Sequence, residues 1–216
     1  MKVTLVSHST PEQHLVEEGL DDIQELIAYC ARVSNPSNQF NTETSDKLIQ
    51  YLIKHKHWSP LEMVSACLEI ETTRDIARQI LRHRSFSFQE FSQRYADPTK
   101  SLGFVRREAR LQDKRNRQNS IELTPDENRL KEEWGVIQQQ AINAAQFAYQ
   151  WATERGIAKE QARAVLPEGC TESTMIMAGT LRSWVHYCQL RTQWDTQKEH
   201  REVAQKCWEI VGSHFP

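Results

Sequence analysis

Between Gln79 and Arg94 the chain gathers the side chains best suited to hold a flat, anionic ligand: Gln79, Arg82, His83, Arg84, Glu90, Ser92, Gln93 and Arg94. Guanidinium groups and a hydroxyl near a helix end suit a phosphate. A Gln with a Glu nearby can read the edge of a planar base through paired hydrogen bonds. Phe86, Phe88, Phe91 and Tyr95 interleave with them and could stack on a ring. The wider segment from Arg74 to Arg117 carries ten Arg and two Lys against five acids, a balance of +7 in a chain whose net charge is −2. An acidic protein with one dense Arg segment is built to hold anions at one place. Arg is also the better fork for phosphate and carboxylate than Lys.

Other chemistries are less well supported. Ser92 has no Gly-x-Ser-x-Gly elbow and no base that the sequence pairs with it, so it reads as a ligand donor rather than a nucleophile. His55 and His57 form an H-x-H without an evident third ligand, and no metal is assigned. Glu199-His200 lacks a second His four residues away and reads as surface. Both common nucleotide cradles, Gly-x-Gly-x-x-Gly and the P-loop, are absent. Cys30, Cys67, Cys170, Cys188 and Cys207 are scattered and odd in number. No disulfide framework is expected, and a reducing cytoplasm is the expected compartment.

The elements that must position these residues follow from periodicity. Lys2–Ser7 and Met63–Thr72 alternate as strands, and Thr174–Met177 reads as a short one. Helical spacing marks 12–33, with an interruption expected at Gly19, then 42–55 with Leu48, Tyr51 and Leu52 inward, 73–83, 125–155, 159–166, 181–190 and 196–211. Ser85–Tyr95 reads as loop or extended chain, and Ser101–Ser120 as an irregular polar excursion. The fold class expected is α+β: a small, mostly antiparallel sheet flanked by helices, in a single domain over residues 1–216.

At 216 residues the chain has room for a real core. Its mean hydropathy of −0.68 and short apolar runs exclude a membrane helix. The first ten residues are too short and polar for a signal peptide, so export is not expected. One alternative is a non-catalytic RNA or single-strand binder using residues 74–117 as a stacking groove. The overall charge of −2 disfavours it, because the basic strip is offset elsewhere.

Arg82-His83-Arg84 followed after seven residues by Ser92 resembles the signature of the flavin-dependent thymidylate synthases. Four further pieces agree in order: Ala31-Arg32-Val33-Ser34, His57-Trp58-Ser59-Pro60-Leu61-Glu62, Arg163-Ala164-Val165-Leu166-Pro167, and the run from Arg182 to Arg191. The resemblance implies methylation of dUMP to dTMP. The carbon would come from 5,10-methylenetetrahydrofolate and the reducing power from NADPH, through a bound FAD that delivers hydride, with no covalent enzyme nucleophile. It assigns Arg191 the catalytic role of favouring ionisation at the pyrimidine N3. It gives dUMP to Gln79, Arg82, Glu90, Ser92, Gln93, Arg94, Arg163 and Arg191. FAD would be held by Ser34, His57, Ser59, Arg82, His83, Arg84, Glu90, Thr180, Arg182 and His186. A homotetramer with shared sites is implied, with no nucleic-acid or membrane partner. Arg182 and His186 are four apart and can share a ligand. Arg191 lies five beyond His186, about 140° round an ideal helix, so it must use its reach, lie past the helix end, or face a different ligand; the last fits a nucleotide lying against the flavin.

Overall fold

A computed structural model of the chain describes residues 1–215. In chain order the strands are β1 (Lys2–His8), β2 (Ser65–Thr73), β3 (Ser87–Glu90), β4 (Arg110–Gln112), β5 (Ser120–Glu122) and β6 (Glu172–Thr180). The helices are α1 (Gln13–Glu17), α2 (Ile23–Ala31), α3 (Ser45–Lys54), α4 (Arg74–Ile80), α5 (Pro98–Ser101), α6 (Asn128–Glu154), α7 (Lys159–Ala162), α8 (Leu181–Arg191) and α9 (Lys198–His214). Four strands form an antiparallel sheet in the order β1-β2-β6-β3, and β4 pairs with β5 in a separate ribbon. The α+β expectation holds.

Alternation explains the sheet. Ala66, Leu68 and Ile70 of β2 lie on one face beside Met175 and Met177 of β6, with Leu68 opposite Met177 and Ile70 opposite Met175. A slip of one residue would turn all of them to water, so this register is strongly specified. Trp184, Tyr187 and Cys188 of α8 and Val203, Ala204, Cys207 and Val211 of α9 belong to the same core. Trp184 Nε1 donates to the Ala66 carbonyl at 3.0 Å, so its one polar atom is satisfied. A Cβ at Gly179 would come within 2.4 Å of the Phe86 ring. Only glycine there lets Phe86 lie against β6, and Phe86 anchors the loop that leads out of the Arg82-His83-Arg84 stretch.

The interruption expected at Gly19 is present: the 12–33 span is two helices, broken where Gly19 takes φ +89°. Other expectations need correction. The strand expected over Thr174–Met177 is the nine-residue β6, lying between β2 and β3. Its neighbour β2 extends pairing through Gly179 and Thr180, where short-range pattern gives no signal. Part of the Ser85–Tyr95 stretch is the edge strand β3, and the polar excursion closes into the β4–β5 ribbon. Tyr51 points outward. Glu199 and His200, expected at the surface, are buried at 8% and 0% exposure, because the N-terminal turn of α9 packs beneath α8 and α4.

Candidate active site

Helix α8 carries two functional faces. At its start Thr180 is the N-cap: its hydroxyl accepts from the Ser183 N–H at 3.3 Å. Ser183 Oγ in turn donates to the Ser85 carbonyl at 3.2 Å, tying the loop after Arg84 to the helix entrance. On the outer face Arg182 pairs with Glu62, and the His186 ring meets Trp58 edge-on at 4.7 Å between centroids. Glu62 and Ser59 sit on a one-turn helix whose Pro60 lies at its start, where a missing N–H costs nothing. His57 reaches this shelf through the end of α3. Lys56 adopts φ +58°, the His57 N–H donates to the Leu52 carbonyl at 2.8 Å, and the Lys56 N–H donates to the Ile53 carbonyl at 3.1 Å. This is a Schellman closure with lysine in the place that usually takes glycine. His57, Ser59 and His186 are exposed, so the shelf is open to solvent.

On the inner face, Arg191 Nε donates to His83 Nε2 at 2.9 Å. Burial first, and the Arg191 charge second, pull His83 down to about 4. At neutral pH it is therefore an uncharged acceptor, and the guanidinium keeps its full charge. No carboxylate pairs with Arg191 among the described residues. Behind this pair lie Tyr187 and His200. His200 Nε2 is 3.2 Å from the Tyr187 hydroxyl, and its Nδ1 is 3.3 Å from Gln79 Oε1. Burial, then the Arg191 and His83 charges, lower His200 to about 3. Gln79 Nε2 donates to Gln197 Oε1 at 2.7 Å, and Gln197 Nε2 donates to Glu199 at 3.0 Å. Glu199 also faces Arg110 at 2.5 Å and Arg107 at 3.3 Å. Burial would raise its carboxyl. Hydrogen bonds from its own backbone N–H, Gln197 and Arg110, with the Arg107 charge, hold it below the ordinary value.

The structure thus brings together Gln79, His83 and Arg191, and separately His57, Ser59, Arg182 and His186. A third group lies beyond β3. Glu90 Oε1 accepts from Ser173 Oγ at 2.9 Å and from Arg74 at 3.3 Å. Ser92 Oγ accepts from the Arg94 N–H at 3.4 Å, and Arg94 pairs with Glu160 on α7 at 3.5 Å. Gln93 is buried, and its Nε2 makes no hydrogen bond among the described residues. No hydrogen bond or ion pair among the described residues joins this third group to Gln79 or Arg191. Arg82, Arg84 and Arg163 form no ion pair among them either, and Ser34 is exposed beyond α2.

Sequence reasoning missed Glu62, Tyr187 and His200. Glu62 lay inside a recognised motif, and its spacing from Arg182 gave no hint of pairing. Tyr187 follows His186 directly and so faces inward on α8. Of the ten Arg between 74 and 117, Arg74, Arg78, Arg94, Arg107 and Arg110 are held against carboxylates. Half of the arginines in the dense basic strip are therefore spent in ion pairs rather than lining a free cationic groove.

Residues 14–216 match the family model described as thymidylate synthase complementing protein. The chain is 46% identical, over its whole length and 96% of the relative's, to a probable flavin-dependent thymidylate synthase of Paramecium bursaria Chlorella virus 1. It is equally similar to the flavin-dependent thymidylate synthase of Synechocystis, again over 96% of that protein. Among solved structures, the UMP/dUMP methylase PolB of Streptomyces cacaoi bound with 5-Br UMP matches with a TM-score of 0.78. That match has 25% identity and covers 99% of this chain and 89% of that one. Fold, ordered motifs and full-length similarity agree, and the chain belongs to the flavin-dependent thymidylate synthase family.

Proposed function

We propose that residues 1–216 act as one catalytic domain that methylates dUMP at its pyrimidine ring, with FAD as cofactor and NADPH and 5,10-methylenetetrahydrofolate as co-substrates. The observation that carries this reading is the Arg191–His83 pair. A guanidinium held in place by a neutral imidazole keeps an uncompensated positive charge beside the donors of Gln79. Charge that develops on uracil as its ring is activated would be stabilised there.

The residues suit a flavin dinucleotide. Its pyrophosphate asks for cations, and Arg82 and Arg84 stand exposed just beyond α4, with no acidic partner among the described residues. Its ring asks for flat and polar edges, which Trp58, His57, Ser59 and His186 offer on the shelf. Arg182, fixed by Glu62, would meet the same ligand, with Ser34, His83, Glu90 and the Thr180 end of α8 completing the set. When bound, the flavin reduced by NADPH supplies hydride and the folate supplies carbon. The protein's part is to grip, align and polarise. Arg94, Ser92, Gln93, Glu90, Arg82 and Arg163 would take the nucleotide, with the phosphate on the Ser92–Arg94 turn.

A thiolate nucleophile is not part of this reading. Burial raises Cys30, Cys67 and Cys170, pushes Cys188 up to about 12, and drives Cys207 well above its ordinary value. Raised thiols are poor nucleophiles at neutral pH.

The lack of any hydrogen bond or ion pair between the Ser92–Arg94 turn and Arg191 among the described residues supports a homotetramer whose sites combine subunits. So does α6, about 40 Å long at 1.5 Å per residue. It buries Ile142, Tyr149 and Ala152 inward while exposing Trp134, Val136, Ile137 and Phe147. A cytoplasmic location belongs to the same reading. No helix among the described residues is long and apolar enough to cross a membrane.

The PolB likeness favours a second reading, in which UMP is also accepted. The test is direct. Purified protein should be yellow, bleach with NADPH, and convert dUMP to dTMP when methylenetetrahydrofolate is supplied. A colourless protein that binds RNA with a steep salt dependence would overturn the reading, and turnover of UMP at the rate of dUMP would broaden the substrate.

A further inference from the structure

We propose that His200 is a positioning residue that locks the side-chain amide of Gln79 in one orientation, so that the site reads a uracil edge and rejects cytosine. The inference rests on the reading that Gln79 meets the pyrimidine.

Five side chains form one hydrogen-bonded line from the ion cluster at the start of α9 to the core of α8. The direction of that line is dictated from one end. Glu199 is an ionised carboxylate between Arg107 and Arg110, so it only accepts. Gln197 must therefore turn its Nε2 toward Glu199, which leaves Gln197 Oε1 facing Gln79. Gln79 must then offer Nε2 to Gln197, and its Oε1 faces His200 Nδ1. An amide oxygen cannot donate, so His200 carries its proton on Nδ1. Its Nε2 is then an acceptor, and the Tyr187 hydroxyl donates to it. Every link has one allowed polarity, and reversing any of them would set two acceptors or two donors face to face.

The consequence falls on Gln79. An amide free to rotate by 180° can present donor or acceptor at a given point and cannot tell uracil from cytosine, whose edges differ by an exchange of donor and acceptor at N3 and C4. With Oε1 held by His200 and Nε2 held by Gln197, one N–H and one oxygen lone pair remain, at fixed positions. The line is anchored at both ends by buried groups, Glu199 at one and His200 with Tyr187 at the other, while Gln197 between them is exposed; the buried His200 link is what holds the Gln79 oxygen in place. His200 is 0% exposed, and both of its ring nitrogens are taken up within this line, so its burial among polar neighbours is accounted for.

The test uses three variants of the whole protein. His200→Phe keeps ring volume and removes both bonds. His200→Asn keeps a donor near the Nδ1 position, and His200→Gln keeps only a group near Nε2. Dissociation constants for dUMP and dCMP are measured by calorimetry, with flavin content and melting temperature recorded for each. The expected result is that His200→Phe and His200→Gln lose about tenfold of the dUMP-over-dCMP preference, the worth of roughly one net hydrogen bond. His200→Asn retains the preference, and flavin content stays level in all three. Unchanged preference in His200→Phe would overturn the proposal. Equal loss in all three variants, in step with melting temperature or flavin, would also overturn it, because packing would then explain the effect. A second readout needs no substrate: nitrogen NMR of the histidine rings should show His200 neutral with its proton on Nδ1. The Nε2–H tautomer or an imidazolium would break the chain of inference. If wild-type protein binds no dUMP at all, the substrate reading falls and the base-edge role with it, while the tautomer spectrum still judges the hydrogen-bond line.

Discussion

Arg182 and Arg191 stand at opposite ends of one helix and are held in opposite ways. Arg182 is paired with the carboxylate of Glu62. Arg191 is held through Nε by a neutral imidazole. A carboxylate fixes a guanidinium and cancels its charge. A neutral histidine fixes it and leaves the charge available. The first suits a cation that grips one end of a large ligand, and the second suits a cation that must act on charge appearing during a reaction. Helix α8 therefore separates holding from polarising by means of the partner chosen for each arginine.

The sharpest way to break this contrast is Arg191→Ala. Turnover of dUMP should fall by about a hundredfold or more while flavin is retained, as read by product assay and absorption on the same sample. Loss of both together would mean that the two ends of α8 are not distinct. Next comes His83→Phe, which leaves Arg191 charged but unguided. A drop of about tenfold in kcat is expected, and turnover at the wild-type level would remove His83 from the account. For Glu62→Gln the effect should appear at the other end: flavin affinity weakened several-fold, with kcat at saturating flavin nearly unchanged. A flavin titration followed by fluorescence decides it.

The buried histidines add a pH signature. His83 and His200 have folded values of about 4 and about 3, below the ordinary 6.5 of an unfolded histidine. The unfolded chain therefore binds more protons as pH falls below about 6.5, and stability should decline from there toward pH 4. Urea midpoints across that range should fall less steeply in His83→Phe than in wild type, and identical slopes would contradict the burial described. The smallest effect concerns the shelf itself. Lys56→Gly relieves a left-handed backbone and should stabilise by about 0.5–1 kcal/mol without altering turnover, provided His57 keeps its place.

Much of the site was legible in sequence because it is local. Arg82-His83-Arg84 and the His57–Glu62 element are contiguous, and the i,i+4 spacing of Arg182 and His186 put them on one face before any coordinates. The 140° offset of Arg191 left a second face as one of three options, and there it meets His83. The helices over 125–155 and 181–190 followed from periodicity within a few residues. Strand β6 was underestimated, since Gly179 and Thr180 carry no strand signal and pair only because β2 lies alongside. His200 was misread for the same kind of reason: a histidine next to a glutamate looks solvated until another helix closes over it.

By itself, then, the chain's order of residues determined the motifs, most helices and the alternation that buries one face of the sheet, because each depends on neighbours a few positions away. Tertiary structure alone decided that half of the dense arginine segment would be spent on carboxylates, that Glu62 would claim Arg182, and that Glu199 would orient Gln197, Gln79 and His200 in turn. Those pairings join residues as far as 121 positions apart in sequence. The direction of a hydrogen bond or the net charge of a cluster exists only once both partners are in place.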